Sequence, residues 1–287
     1  MTVVGADDRW FIGAGLYSFS LRIASLSPAA TEILFRLQPS LASSELRPAS
    51  GSGEHVIVCV DQFSNFPDEA KKIPHVRGHQ EVGADDLLTF APEVVITGTV
   101  IQQKLSEELR SADFAVIHQD PRTISAIYES IRQLGTILER PTEAENLVLE
   151  MQQGFNEVRQ RSRLLHRKLK VYVEEWHQPP MVSGNWVPEV IRIAGGESFP
   201  INDGDLSHEV SLQEVTAFDP DLIIISWCGA GNLADKKILL NRDGWGSLRA
   251  VNDDHVRVID DSLLNRPGPR LVEGAQRLYS WLFEMLH

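Results

Sequence analysis

Residues 82–98, VGADDLLTFAPEVVITG, lie over residues 210–226, VSLQEVTAFDPDLIIIS, without a gap. Val82 matches Val210, Phe90 matches Phe218 and Pro92 matches Pro220, while acids pair as Asp86 with Glu214 and Glu93 with Asp221. Each copy reads as a short helix, a turn marked by Pro and an acid, and a buried strand. The copies occupy equivalent places in two similarly ordered halves, which points to a duplicated architecture. In the first half, strands are expected at 22–26, 55–60, 94–97 and 114–118, with helices after 28 and at 101–112 and 122–139. The second half restarts with a strand at 170–174, a helix from 187, strands near 222 and 255–259, and a closing helix from 271. Strands alternating with helices imply mostly parallel sheets covered on both faces. The stretch 175–186, EWHQPPMVSGNW, reads as a loop.

Between the halves one helix is expected over 142–168. Pro141 precedes it, and Thr142 with Glu145 has capping-box spacing. Leu147, Met151, Phe155, Val158 and Leu165 form one apolar stripe on a 3.6-residue period. Arg161, Arg163, His166, Arg167 and Lys168 crowd the C-terminal end, where the helix dipole favours cations. At 1.5 Å per residue the helix would be roughly 40 Å long, a rigid strut rather than an ordinary crossover. The expected organisation is an α/β lobe over 1–141, the linking helix over 142–168 and a second α/β lobe over 169–287. A cleft lies between them at the carboxyl ends of the strands, where open sheets bind ligands.

The formal net charge of −13 argues against a nucleic-acid or anionic-membrane surface, both of which need clustered cations. No apolar run is long enough for a transmembrane helix. The apolar patch from Trp10 to Leu21 follows two Asp residues, with no basic segment before it and no clear cleavage site after it. It is a poor signal peptide and reads as an extra strand or arm. Cys59 and Cys228 are the two cysteines; a disulfide between them is open, and free core thiols are the preferred reading.

The loops at the strand ends carry Phe63, Phe66, His79, Trp176, His177, Trp186 and Trp227, with His208 just before the second repeat. Aromatic and His enrichment suits a large flat ligand held by stacking and a few polar contacts. Any single ring could instead pack the lobe interface. His75 and His79 have i, i+4 spacing, but Pro74 and Gly78 oppose a helix there, and no zinc-ligand motif occurs. No nucleophile elbow, phosphate loop or dinucleotide fingerprint appears, so no catalytic residue is assigned. Glu174 and Glu175 face opposite ways on a strand and read as one buried, one exposed. Arg266, between Asn265 and Pro267 in a rigid NRPGPR loop, is placed to reach a ligand carboxylate, amide or phosphate, or else to cap a neighbouring helix.

Several segments, in order, resemble one family: RIASLSPAATEI, the Phe63–Pro67 loop, DLLTFAPEVVI, the mid-chain helix, PPMVSGNWVPEVIRIAGG, VSLQEVTAFDPDLIII and NRPGPRLVEG. They are similar to class III substrate-binding proteins of ABC importers, over about residues 20–287. MVSGNWVPE and NRPGPRLV point to the cobalamin-binding branch. The resemblance implies two Rossmann-like lobes joined by a backbone helix, little hinge motion, and a corrin ring clamped in the cleft, with Phe63, Trp176, Met181 and Arg266 as the carried-over candidates. His79 stands where a cobalamin binder can present Trp; His79, His177 or His208 could then ligate the metal. The resemblance also implies a permease docked on one acidic knob per lobe, at Asp85 beside Asp86 and at Gln213 beside Glu214. The expectation is a monomeric, non-enzymatic binder of a metal chelate, foremost cobalamin or another corrinoid, requiring no cofactor of its own. A ferric-siderophore or haem binder is the alternative within the class, and a two-lobed chelatase or transferase the alternative outside it. The family is periplasmic or cell-surface, while the poor signal peptide leaves a cytoplasmic carrier open.

Overall fold

The structure of the protein is a computed structural model and describes residues 20–42, 55–78 and 81–287. The expected N-terminal arm, most of the loop 39–54 and His79 lie outside these residues. The first lobe comprises β1 (Arg22–Ser25), α1 (Pro28–Leu37), β2 (Val56–Asp61), β3 (His75–Val76), α2 (Ala84–Leu88), β4 (Val94–Gly98), α3 (Gln103–Ser111), β5 (Val116–Gln119) and α4 (Ile124–Ile137). Then comes the linking helix α5 (Pro141–Ser162). The second lobe comprises β6 (Lys170–His177), β7 (Pro180–Val182), α6 (Val187–Ile193), β8 (Glu197–Ser198), β9 (His208–Glu209), α7 (Leu212–Phe218), β10 (Leu222–Ile225), α8 (Lys236–Leu240), α9 (Arg249–Asn252), β11 (Val256–Val258) and α10 (Leu271–Leu286).

The first sheet has the order β3-β2-β1-β4-β5 and is wholly parallel. Its strands β2 and β4 are buried throughout, whereas the edge strand β3 exposes His75. The second sheet runs β11-β10-β6-β7-β9, with β8 also beside β6. Pairs among β11, β10, β6 and β8 are parallel, whereas β7 runs antiparallel to β6 and β9. The stretch expected as a loop over 175–186 is therefore largely a hairpin. β6 continues through Trp176 and His177, an irregularity after Glu174 re-aims it, and β7 returns with Met181 opposite Trp176.

The duplication is present in backbone detail. Ala91 and Asp219 both take positive φ, 42° and 50°, at the turn before the proline. The acid after that proline then pins the first strand of each lobe: Glu93 accepts from the Arg22 N–H at 2.9 Å and Asp221 from the Lys170 N–H at 2.8 Å.

Helix α5 is shorter than expected. It spans 22 residues, about 33 Å, and ends at Ser162 rather than 168, so Arg161 stays in its last turn while Arg163, Leu165, His166, Arg167 and Lys168 belong to the connection. The Thr142–Glu145 capping box does not form. Pro141 occupies the first helical position, which suits a residue without an N–H. Thr142 is thus already inside the helix, and Glu145 is taken by Arg132 at 2.8 and 3.1 Å. The apolar stripe holds: Leu147, Met151, Phe155 and Val158 are buried. They belong to one continuous core with Ile33 and Leu34 of α1, Ile131 of α4, Val171 and Val173 of β6, Val190 of α6 and Leu278 of α10. Both lobes share it. Gly135 lets α4 press on α5, since a Cβ there would lie 2.3 Å from the Ala144 Cβ.

Candidate ligand-binding cleft

Parallel strands deliver their loops to one end of each lobe, and these loops face each other. In the first lobe Ser27 caps α1 through the Ala30 N–H. The loop after β2 rests on a buried hydrogen-bond chain: Ser25 Oγ to Thr31 Oγ1 at 2.8 Å, Thr31 Oγ1 to Ser64 Oγ at 3.0 Å, and Ser64 Oγ donating to Asp61 Oδ1 at 2.7 Å. Burial lifts the Asp61 carboxyl to about 6 against the opposing Ser64 bond. This chain fixes the loop carrying Phe63 and Phe66. A small interlobe pocket beside it is lined by Ser27, Gly98, Thr99, Gln119, Pro121 and Pro267, among others.

Arg266 does not project freely toward a ligand. It donates to Glu32 Oε1 at 3.0 Å, to Asn65 Oδ1 at 2.9 Å and to the Phe63 carbonyl at 3.1 Å, all in the other lobe. Arg270 donates to both Glu32 oxygens and lies over the Phe66 ring at 4.2 Å. Sequence reasoning missed Glu32; the acid in the otherwise apolar run AATEILF was the available signal. A second interlobe clasp joins the Ile124 N–H to Glu189 Oε1 at 3.0 Å.

In the second lobe Trp176, His177 and Trp227 form a column, with centroids 5.1 and 4.8 Å apart. Only Trp176 presents a broad surface, at 40% exposure. Trp227 is 4% exposed and donates its indole N–H to Glu174 at 3.0 Å, so it supports the column and cannot clamp a ligand. Trp186 is also withdrawn from the site: it is 3% exposed, belongs to the shared core and donates to the Leu264 carbonyl at 2.7 Å. His177 Nδ1 is buried without a hydrogen-bond partner. Met181, half-buried, sits across the ladder from Trp176.

Glu174 is fully buried and satisfied by Arg242, Tyr172 and Trp227. Glu175 is half-buried rather than exposed. It accepts from Ser207 Oγ at 2.6 Å, and burial raises its carboxyl above the usual range. Both cysteines are free; Cys59 is buried, its thiol pushed up to about 12, but Cys228 is exposed rather than in a core. Asn265 lies beside it, donating to Cys228 Sγ at 3.3 Å and to the Ser226 carbonyl at 2.5 Å. The lobes approach closely at Phe63: a Cβ on Gly229 would lie 3.8 Å from its ring. His208 is exposed on β9.

The two cap carboxylates are occupied. Asp86 accepts from the Gly83 N–H at 2.9 Å, and Glu214 from the Ser211 N–H at 2.8 Å and its hydroxyl at 2.7 Å. Asp85 is exposed. Among the described residues no group of three or more His, Cys, Asp or Glu is placed to hold a metal ion, and no helix is long and apolar enough to cross a membrane.

The chain is 26% identical over 276 residues to the vitamin B12-binding protein of Pectobacterium atrosepticum, covering 94% of this chain and 91% of that one. It matches the fold of the periplasmic vitamin B12-binding protein BtuF of Vibrio cholerae with a TM-score of 0.69 at 22% identity, over 92% of this chain and 97% of that one. It matches S. aureus IsdE complexed with haem with a TM-score of 0.77 at 17% identity, over 92% and 100% of the two chains. Residues 23–263 match the family described as periplasmic binding protein. With two α/β lobes, a linking helix and a cleft at the strand ends, the chain belongs to that family of solute-binding proteins, which are not enzymes.

Proposed function

We propose that this protein binds a flat metal chelate with an uncharged periphery, foremost cobalamin or another corrinoid, and presents it to an ABC-importer permease. The observation that carries the reading is the charge state of the cleft. Its two interlobe arginines, Arg266 and Arg270, are already closed on Glu32. What faces the ligand is the exposed Trp176 ring, Phe63, Phe66, Met181 and neutral polar groups such as Asn265. Ring stacking and apolar burial then supply affinity, and amide groups of a corrin periphery meet hydrogen-bonding partners without needing cations. The vitamin B12-binding relative supports the same ligand. Asp85 is the docking residue of the first lobe, and the protein acts on the periplasmic or cell-surface side, as its family does.

Titration with cyanocobalamin, haem and a ferric siderophore, read by intrinsic Trp fluorescence and visible absorbance, tests the proposal. Saturable corrinoid binding with Trp quenching is expected. Binding of haem or the siderophore with no response to any corrinoid overturns it.

A further inference from the structure

Glu32 is 2% exposed and lies one turn into α1. A carboxylate there costs desolvation unless it is fully paired, and it is: Oε1 receives Arg266 at 3.0 Å and Arg270, and Oε2 receives Arg270 at 2.9 Å. The two arginine side chains stay 13% and 19% exposed, against 3% for the Glu32 side chain. Without Glu32 they would form a paired guanidinium fork between the lobes, the geometry that recognises carboxylates. Joining the lobes does not require Glu32, because Arg266 also holds Asn65 and the Phe63 carbonyl. What Glu32 adds is a negative charge held permanently in the fork.

We infer that Glu32 is a specificity-determining residue: it fills the carboxylate-binding fork of Arg266 and Arg270 from within and so excludes chelates bearing carboxylate arms. Specificity of this kind works by removing the partner that a competitor would need. A ligand carboxylate must displace a tethered one of the same chemistry, which is always at high effective concentration. A chelate ringed by amides does not compete for the fork and is unaffected. The inference rests on the reading that the chelate lies in this cleft.

Glu32→Gln keeps the side-chain shape and one acceptor oxygen while removing the charge. Three ligands are compared on wild type and variant: cyanocobalamin, haem, and the dimethyl ester of haem, which has the same ring without the two carboxylates. The expected result is a gain of at least about tenfold in the preference for haem over its ester, with cobalamin affinity little changed. The double variant Glu32→Gln/Arg270→Gln, which restores the net charge of the cluster, should return the wild-type preference. An unchanged haem-to-ester ratio in Glu32→Gln overturns the inference. A wild-type readout serves independently of how the variants fold: haem binding should weaken with added salt no more steeply than ester binding, and a steeper dependence overturns the inference. If wild type binds no corrinoid, the proposed function fails while the haem-to-ester ratio still reads the charge rule. If wild type binds corrinoid and that ratio does not move, the charge rule alone fails.

Discussion

Arg242 holds Glu174 through two parallel hydrogen bonds of 2.8 Å, beneath the column of Trp176, His177 and Trp227. The same guanidinium stacks on Trp245 at 4.2 Å and donates to the His177 carbonyl at 3.1 Å. Removing one member of a buried pair strands the other. Arg242→Met should therefore lower stability by about 3–5 kcal/mol, measured by urea denaturation. Adding Glu174→Gln to it should recover part of the loss.

Trp176 and Trp227 belong to one column but differ in access. Trp176→Ala should weaken corrinoid binding by about tenfold or more, measured by titration, with little change in the unfolding midpoint. Trp227→Leu strands part of the Glu174 network and should show its main effect in the unfolding midpoint.

His55 is buried as a neutral ring, with Nδ1 accepting from the Leu21 N–H at 3.1 Å and Nε2 paired with the Leu138 carbonyl at 3.1 Å. Burial lowers its folded pKa below the usual 6.5, against the opposing Leu138 bond. The neutral form is thus favoured in the folded state. Its contribution is fully present above pH 6.5 and is lost as pH falls through the lowered folded value. Urea midpoints of wild type across this window should fall with acidification, and the fall should be smaller in His55→Gln.

Asp61 has the opposite sign. Its folded pKa of about 6 lies above the ordinary 3.8, so its favourable contribution is present below pH 3.8 and disappears as pH rises through 6. Asp61→Asn should gain stability relative to wild type between pH 5 and 7, approaching about 3 kcal/mol at pH 7, and should gain little at pH 4. Parallel urea titrations at both pH values measure the difference.

Gly135→Ala places a methyl group against Ala144, where the hypothetical Cβ–Cβ distance is 2.3 Å. A loss of about 1–3 kcal/mol is expected from overpacking, seen in thermal unfolding. Ala144→Gly in the same chain should restore most of it.

The duplicated architecture was legible in the sequence because its signals are local. A helix, a proline-marked turn and a buried strand are written in neighbouring residues, and the Glu93 and Asp221 contacts follow the same spacing. The stripe on α5 was legible for the same reason. Its end was not: Thr142 and Glu145 have the right spacing, but Pro141 starts the helix earlier and Arg132 captures the carboxylate. The hairpin through Trp176 and Met181 was hidden because the prolines at 179 and 180 suggest a loop, and strand pairing across them is a tertiary outcome. Composition placed aromatics near the cleft yet could not separate exposed Trp176 from buried Trp186 and Trp227, since burial depends on what packs from elsewhere. Arg266 was expected to reach a ligand or cap a helix; its partner Glu32 lies 234 positions away, beyond any local pattern.

The core that runs unbroken through α1, α4, α5, β6 and α10 has a consequence for how cargo is sorted. Bringing the lobes nearer or farther apart would shear packed side chains, so the gap has a width before anything enters it. A cargo too thin leaves voids that forfeit contact, and one too thick is shut out. On the proposed function the folded chain would act as a gauge, its accepted dimension set by core packing and the ordering cost met during folding rather than at capture.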